Sequence, residues 1–239
     1  MNLATLQIKT SDNFQDNLKN LERIIQEVPK KSLVLSSELC LTGYAYNDLQ
    51  SAADFTTQAT ESLKKQSLDK TISLTMTTKE GNDFFNTFFL FDKGEIIHTQ
   101  HKAQLFTVNN EDDYFKAGKT DAVKLFEFNG LKIGVLICFE LRFIELWQQL
   151  KGADIILVPA LWGAQRKDNF ETLYKALAIA NQCFVIASDS ANEECAKGSG
   201  IVTPFGETFR DDTSECIMHE ANLEALQKMR EKLFVGINV

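Results

Sequence analysis

The hydrophobic pattern of the first 40 residues changes period twice. Residues 3–8 (LATLQI) and 32–37 (SLVLSS) are short apolar runs typical of buried strands. Apolar residues between them recur at helical spacing: Phe14, Leu18, Leu21, Ile25 and Val28. We expect Ser11 or Asp12 to cap this helix and Pro29 to end it. A β-α-β opening predicts a mixed or parallel sheet covered by helices.

The middle of the chain has the pattern of an antiparallel meander. Three β-rich runs, Thr71–Thr78, Asp83–Phe91 and Glu95–His101, are separated by short Gly-containing turns. The second run contains too many Phe residues for one buried face. We therefore expect this strand to be covered on both faces.

The second half alternates strands and helices again. Strands are predicted over Lys132–Cys138, Asp154–Pro159, Cys183–Ser188, a hairpin within Gly200–Phe209, and Ile217–His219. Helices are predicted over Phe139–Leu150, Phe170–Gln182 and Leu223–Leu233. About ten strands and five helices place the chain in the α/β class. With no linker or repeat, we expect a single domain over residues 1–239.

Composition excludes several classes of protein. The net charge of −8 is spread along the chain, which lacks the basic clusters of a nucleic-acid binder. The longest apolar runs, Leu131–Phe139 and Ile155–Trp162, are too short to span a bilayer as a helix, so no membrane association is expected. The three histidines do not form a metal-binding pattern.

Cysteine usage indicates a reducing compartment. The chain has five cysteines, at positions 40, 138, 183, 195 and 216. Their odd number, and a first segment without a basic start and an apolar stretch, favour reduced thiols and a cytoplasmic protein.

Cys138 is the strongest candidate nucleophile, because it ends an apolar strand just before a predicted helix. Backbone N–H groups there are expected to favour the thiolate. A buried free cysteine is more often part of the core. Glu38 and Lys102 also follow apolar strands, where α/β folds place their sites, although each alone is typical of a solvated strand end.

Three sequence blocks resemble the nitrilase superfamily of carbon–nitrogen hydrolases. These blocks are SSELCLTGY around Glu38, HKAQLF with EDDYFKAG around Lys102 and Glu111, and GVLICFELRF around Cys138. The later segments VPALWGAQR, ALAIANQ and GSGIVTPFGE extend the resemblance to about residue 215. One departure is Gln104, where the family often has histidine.

The resemblance implies a four-layer α-β-β-α sandwich. It also implies a homodimer paired through helices, with the helix after Cys138 and the helix Phe170–Gln182 as candidates. Cys138 would attack an amide carbonyl, Glu38 would act as the base, and Lys102 would stabilise the oxyanion. No metal or organic cofactor is expected.

Further residues are candidates for substrate binding. Glu111 matches a second family glutamate near the triad, with a plain loop carboxylate as the alternative. Four aromatic residues are expected either to line the pocket or to belong to the core. They are Tyr44, Tyr114, Phe139 and Trp162. Arg166 or Lys167 receives a substrate carboxylate or is a solvated loop charge. Glu140 and Arg142 are expected to bond other loops rather than to catalyse.

The favoured function is hydrolysis of a small linear amide with release of ammonia. Within the family we expect ω-amidase-like activity on the half-amide of a dicarboxylic or 2-oxo dicarboxylic acid. The alternatives are an N-carbamoyl amidohydrolase and a catalytically silent binding or scaffold protein. Intact Glu38, Lys102 and Cys138 argue against the silent member. The expected partners are therefore the small amide substrate and a second copy of the chain.

Overall fold

Two six-stranded sheets form the centre of the computed structural model, which describes residues 1–237. Their strand orders are β12-β1-β2-β3-β4-β5 and β11-β10-β9-β8-β7-β6. The strands are β1 Asn2–Leu6, β2 Ser32–Leu35, β3 Thr71–Glu80, β4 Asp83–Asp92, β5 Glu95–His101, β6 Phe126–Phe128, β7 Leu131–Val135, β8 Ile155–Pro159, β9 Phe184–Ser188, β10 Gly200–Val202, β11 Thr208–Arg210 and β12 Cys216–Glu220.

Five α-helices cover the sheets. They are α1 Phe14–Glu27, α2 Leu49–Gln66, α3 Ile144–Gln149, α4 Lys167–Ala180 and α5 Leu223–Lys232. None of the helices in residues 1–237 combines the length and apolarity needed to cross a membrane.

Alternating side chains of the strands divide the interior into layers. Leu33 and Leu35 of β2 face the second sheet, whereas Val34 packs with α1 and α2 on the outer side. The second sheet in turn packs against α4 through Phe170 and Leu177. The result is the predicted four-layer α-β-β-α sandwich.

The strand β4 is buried on both faces, as predicted. Phe88 lies between the sheets, and Phe89 lies in the outer core beneath the helices. The antiparallel pairing of β3, β4 and β5 confirms the meander.

Several predicted boundaries were wrong. Asn13, rather than Ser11 or Asp12, caps α1, and its side chain accepts from the Asp16 N–H at 3.1 Å. Phe139–Leu150 is not one helix, because a 3₁₀ turn over Cys138–Arg142 precedes the short α3. The prediction also missed α2 and β6. Residues 238 and 239 of the predicted domain lie outside the described residues.

The carboxyl ends of strands from both sheets meet at one edge. The parallel pairings β2–β3 in the first sheet and β7–β8 and β8–β9 in the second give the central strands of each sheet a common direction. The N–H of Glu38, after β2, donates to the carbonyl of Ala160, after β8, at 3.1 Å. This bond ties together loops of the two sheets, and the candidate residues lie at this edge.

Candidate active site

A buried cluster of three charged side chains occupies this edge. The Lys102 Nζ donates to Glu38 Oε1 at 2.8 Å and to both carboxylate oxygens of Glu111 at 2.8 Å. It also donates to the Tyr44 hydroxyl at 3.3 Å. All three charged side chains are at most 1% exposed. The structure therefore brings together residues that are far apart in the sequence.

Burial and neighbouring charge oppose each other at Lys102. Burial lowers the pKa of the Lys102 ammonium, but the negative charges around it, led by Glu38, outweigh burial and raise this pKa above its ordinary value. The lysine therefore keeps its positive charge at neutral pH. A permanent ammonium at this position is suited to stabilise an oxyanion.

Glu38 is fixed on one oxygen and free on the other. Its Oε1 accepts from Lys102 Nζ and from Asn86 Nδ2, each at 2.8 Å. Its Oε2 is buried and has no hydrogen-bond partner within residues 1–237. A carboxylate oxygen without a partner, held rigidly, is suited to accept a proton.

Glu111 is part of the charge cluster, and not a solvated loop carboxylate. It lies in a 3₁₀ turn over Glu111–Asp113, which follows Asn110 in a left-handed conformation (φ 55°). Its Oε2 also accepts from the Phe106 N–H at 2.7 Å. Glu111 thereby fixes both Lys102 and the loop that carries Phe106.

Cys138 occupies a strained turn three residues beyond the end of β7. Its φ of 52° lies in the left-handed region, where residues other than glycine are uncommon. The Leu161 backbone N–H near its sulfur lowers the pKa of the thiol. The side chain is 6% exposed, so the thiol faces the cavity rather than open solvent.

The expectation that the Cys138 thiol ionises easily was wrong. Burial raises its pKa well above the ordinary value, and the negative charge of Glu38 raises it further. Lys102 and the Leu161 N–H oppose this effect only in part. The 3₁₀ turn that Cys138 begins is also not the α-helix terminus assumed from the sequence. The resting thiol is protonated, so a base must remove its proton.

Cys138 lines a cavity of about 280 Å³. That volume falls near the lower end of the range for small-molecule sites, about 300–1,000 Å³. Tyr44, Glu111, Trp162 and Arg166 also line it. Phe139 lines an adjoining smaller cavity and packs on Phe106, with ring centroids 5.0 Å apart.

Tyr114 is placed away from the cavity. It is 40% exposed and stacks on Tyr46, with ring centroids 4.1 Å apart. Tyr46, and not Tyr114, is the aromatic residue of this pair that lines the cavity. The sequence reasoning missed Tyr46.

The structure distinguishes Arg166 from Lys167. The Arg166 guanidinium lies over the Phe106 ring, 5.0 Å from its centroid, and has no hydrogen-bond or ion-pair partner among the described side chains. Lys167 instead forms ion pairs with Asp212 and, at 3.7 Å, with Glu171. Of these two residues, Arg166 alone lines the cavity of about 280 Å³ next to Cys138, and its guanidinium is unpaired among the described side chains.

Glu140 and Arg142 lie where the sequence reasoning expected, outside the charge cluster. Glu140 is fully buried and bonds backbone groups of two loops. The Arg142 guanidinium is 4.7 Å from the centroid of the Trp162 ring. Arg142 also lines the smaller cavity, which the sequence reasoning missed.

Asp189 is a further buried carboxylate that the sequence reasoning missed. Its Oδ1 accepts from the Trp162 N–H at 2.8 Å, and its Oδ2 accepts from the Lys197 N–H at 3.1 Å. Burial raises the pKa of Asp189 to about 8. Asp189 follows the buried strand β9, and this strand-end position was the available sequence signal. Because its Oδ1 accepts from the Trp162 N–H, Asp189 fixes the Leu161–Trp162 segment, which lines the cavity.

The chain matches a known family and two curated relatives. The model of the carbon-nitrogen hydrolase family matches residues 2–231. The 2-oxoglutaramate amidase of Bacillus subtilis is 32% identical over 232 residues, which cover 91% of this chain and 89% of that protein. The omega-amidase YafV of Escherichia coli is 27% identical over 228 residues, which cover 90% and 87% of the two chains.

Solved structures share the fold. Nit3 of Saccharomyces cerevisiae, described as a member of branch 10 of the nitrilase superfamily, superposes with a TM-score of 0.84. The match covers 99% of this chain and 95% of that chain at 22% identity. A carbon-nitrogen hydrolase from Helicobacter pylori gives a TM-score of 0.86 at 18% identity, covering 97% and 92% of the two chains.

Proposed function

The chain belongs to the carbon–nitrogen hydrolase family, and we propose that it is an ω-amidase-like enzyme. It hydrolyses the terminal amide of a dicarboxylic or 2-oxo dicarboxylic half-amide and releases ammonia. The names of its relatives support this substrate class. The observation that carries the proposal is the unpaired Arg166 guanidinium in the same cavity as Cys138.

The first half-reaction forms a thioester. The Cys138 sulfur bonds to the amide carbon while Glu38 Oε2 takes the thiol proton, and the carbonyl oxygen becomes an oxyanion. The C–N bond then breaks, and Glu38 passes its proton to the departing nitrogen, which leaves as ammonia. The buried, partnerless Oε2 supports this role for Glu38.

We assign stabilisation of the oxyanion to Lys102 together with the Leu161 N–H, which lies near the Cys138 sulfur. The ammonium has three N–H donors, and its contacts to Glu38 and Glu111 are 2.8 Å long. The 3.3 Å contact to the Tyr44 hydroxyl is the longest. The developing oxyanion replaces this contact, so the two carboxylates keep the lysine in place throughout.

The second half-reaction returns the enzyme to its starting state. Water attacks the thioester carbon while Glu38 takes a proton from it, and the C–S bond breaks. The proton on Glu38 returns to the thiolate. The products are a dicarboxylate and the ammonia already released.

Initial rates of ammonia release test the proposal. We compare a short half-amide, the neutral amide of equal length and an N-carbamoyl amine. The half-amide should give the highest kcat/KM, because its carboxylate pairs with Arg166. Faster turnover of the carbamoyl amine would replace the proposal with N-carbamoyl hydrolysis. A folded protein that releases no ammonia from any of the three would be a silent member.

We further propose that the enzyme is a homodimer. Three apolar side chains on the α3 and α4 side are exposed: Ile144 by 50%, Ile179 by 47% and Phe205 by 61%. A Cβ atom at Gly206 would lie 2.9 Å from Ile179 Cδ1, so the hairpin next to Phe205 adjoins α4. Light scattering should give twice the chain mass, and Ile179→Glu should give a monomer. A monomeric wild type would overturn the proposal.

A cytoplasmic location is also proposed. All five cysteines are free, which fits a reducing compartment. Immunoblotting of cell fractions should find the protein with the cytoplasmic markers. Recovery in a secreted fraction would contradict this location.

A further inference from the structure

Glu140 joins the segments that carry the proposed nucleophile and the proposed oxyanion-stabilising lysine. Its Oε1 accepts from the Ala103 N–H, directly after Lys102, at 2.5 Å. Its Oε2 accepts from the Ile137 N–H, directly before Cys138, at 2.6 Å. One carboxylate therefore spans two loops that come from different sheets.

No other role for Glu140 is visible in the structure. Its side chain is fully buried, and it forms no ion pair with any of the described cations. It does not line the cavity of Cys138. Burial raises the pKa of Glu140 to about 7, because placing its charged form in the interior is unfavourable. The two N–H groups nevertheless hold the carboxyl in this position.

The buried Glu140 carboxylate stabilises the strained turn that carries Cys138. Cys138 has a φ of 52°, a conformation that persists only when the surroundings hold it. The bond to the Ile137 N–H closes the turn on itself, since Glu140 belongs to the same 3₁₀ segment. The bond to the Ala103 N–H then fixes that turn relative to Lys102. The backbone segments that carry Cys138 and Lys102 are thereby held in a fixed relative position.

We propose that Glu140 is a positioning residue that sets the distance between the Cys138 sulfur and the Lys102 ammonium. The role rests on the proposed amide hydrolysis, because it places the groups that carry out that reaction. Glu140 does not line the cavities at Cys138, and its two oxygens accept from backbone N–H groups. Its loss should reduce kcat and leave KM nearly unchanged.

The main variant is Glu140→Gln, which keeps the size of the side chain. An amide has one acceptor oxygen, so its NH₂ group must face one of the two backbone N–H donors. We expect kcat to fall roughly 10- to 100-fold, as for a small misplacement of reacting groups, with KM changed less than about threefold. Glu140→Asp keeps the carboxylate but shortens the side chain, and its kcat should lie between those of Glu140→Gln and the wild type.

Asp154→Asn is a control remote from the site. Asp154 also accepts a backbone N–H, that of Lys132 at 2.8 Å, and it lies at the opposite end of β8. Unlike Glu140, it also pairs with Arg230, at 2.8 Å. Its variant should keep kcat within about twofold of the wild type, in line with a change remote from the site. Thermal unfolding of all three variants separates loss of folded protein from loss of turnover.

Alkylation of Cys138 by iodoacetamide tests positioning without any amide substrate. Glu38 assists removal of the thiol proton only when the turn is held, so Glu140→Gln should slow alkylation about tenfold or more. Unchanged or faster alkylation with unchanged kcat would overturn the role of Glu140. If the wild type releases no ammonia but alkylation slows as expected, the proposed function fails and the positioning role stands.

Discussion

Two pairs of buried carboxylates lie around Cys138, and they differ in their binding partners. Glu38 and Glu111 share the ammonium of Lys102 at 2.8 Å. Glu140 and Asp189 bind no cation among residues 1–237 and accept mainly from backbone N–H groups. The first pair keeps a charge in the site, and the second pair keeps segments of backbone in place.

This difference in partners indicates that the two pairs have different roles in the site. An ion-paired carboxylate with a free oxygen can exchange a proton without losing its position, as Glu38 must do twice per turnover. A carboxylate whose two oxygens both accept backbone N–H groups instead fixes the loops it touches. Variants of the two pairs should therefore fail in different ways.

Removal of the nucleophile should have the largest effect. Cys138→Ala should abolish ammonia release while circular dichroism shows an intact fold. Cys183→Ala is the matched control, because Cys183 is also buried and its pKa is also raised by burial, to about 12. Turnover that survives in Cys138→Ala would contradict the mechanism.

Loss of the ion-paired groups should come next. Glu38→Gln removes the base, and Lys102→Met removes the charge at similar length, so each should lower kcat at least about 10³-fold. The groups act as a unit, and the double variant should be little worse than either single one. Full additivity of the two free-energy losses would show that they act separately.

Arg166→Ala should have a smaller effect that depends on the substrate. An Arg–carboxylate contact contributes about 1.5–3 kcal/mol, or roughly 10- to 150-fold in kcat/KM. We expect that loss for a charged half-amide and little change for the neutral amide of equal length. Lys167→Ala, whose lysine is paired with Asp212, should leave both values unchanged. Equal losses of kcat/KM on both substrates would show that Arg166 does not bind the substrate carboxylate.

A pH trend in stability, rather than a loss of activity, is expected at Asp189. Burial raises the pKa of this carboxyl from 3.8 to about 8, so its ionisation favours the unfolded chain as pH rises between these values. Asp189→Asn removes this contribution, and its Tm relative to the wild type should improve from pH 5 to pH 8. A constant or opposite difference in Tm would contradict the raised pKa.

Most of the sandwich was predicted, but α2 was missed. Its buried positions, Leu49, Ala52, Thr56, Ala59 and Leu63, have helical spacing. Three of the five are Ala or Thr, which carry little hydrophobic signal. The spacing was present in the sequence, and a search for small residues at that period would have found the helix.

The charged residues of the candidate site were predictable from the motifs, but several lining residues and the electrostatics of the site were not. Motif resemblance located Glu38, Lys102, Glu111 and Cys138, and the structure places them together. The raised pKa of the Cys138 thiol was missed, because burial and the position of Glu38 exist only in the folded chain. The contact of Glu140 with the Ala103 N–H was missed for the same reason.

Hydroxylamine partitioning tests the central claim, a thioester on Cys138, most directly. The wild type is supplied with a half-amide and increasing hydroxylamine, and the acid and hydroxamate products are quantified. The account predicts that hydroxamate replaces the acid while ammonia release continues undiminished, and that Cys138→Ala yields neither product. Acid as the sole product at every hydroxylamine concentration would contradict a covalent acyl intermediate.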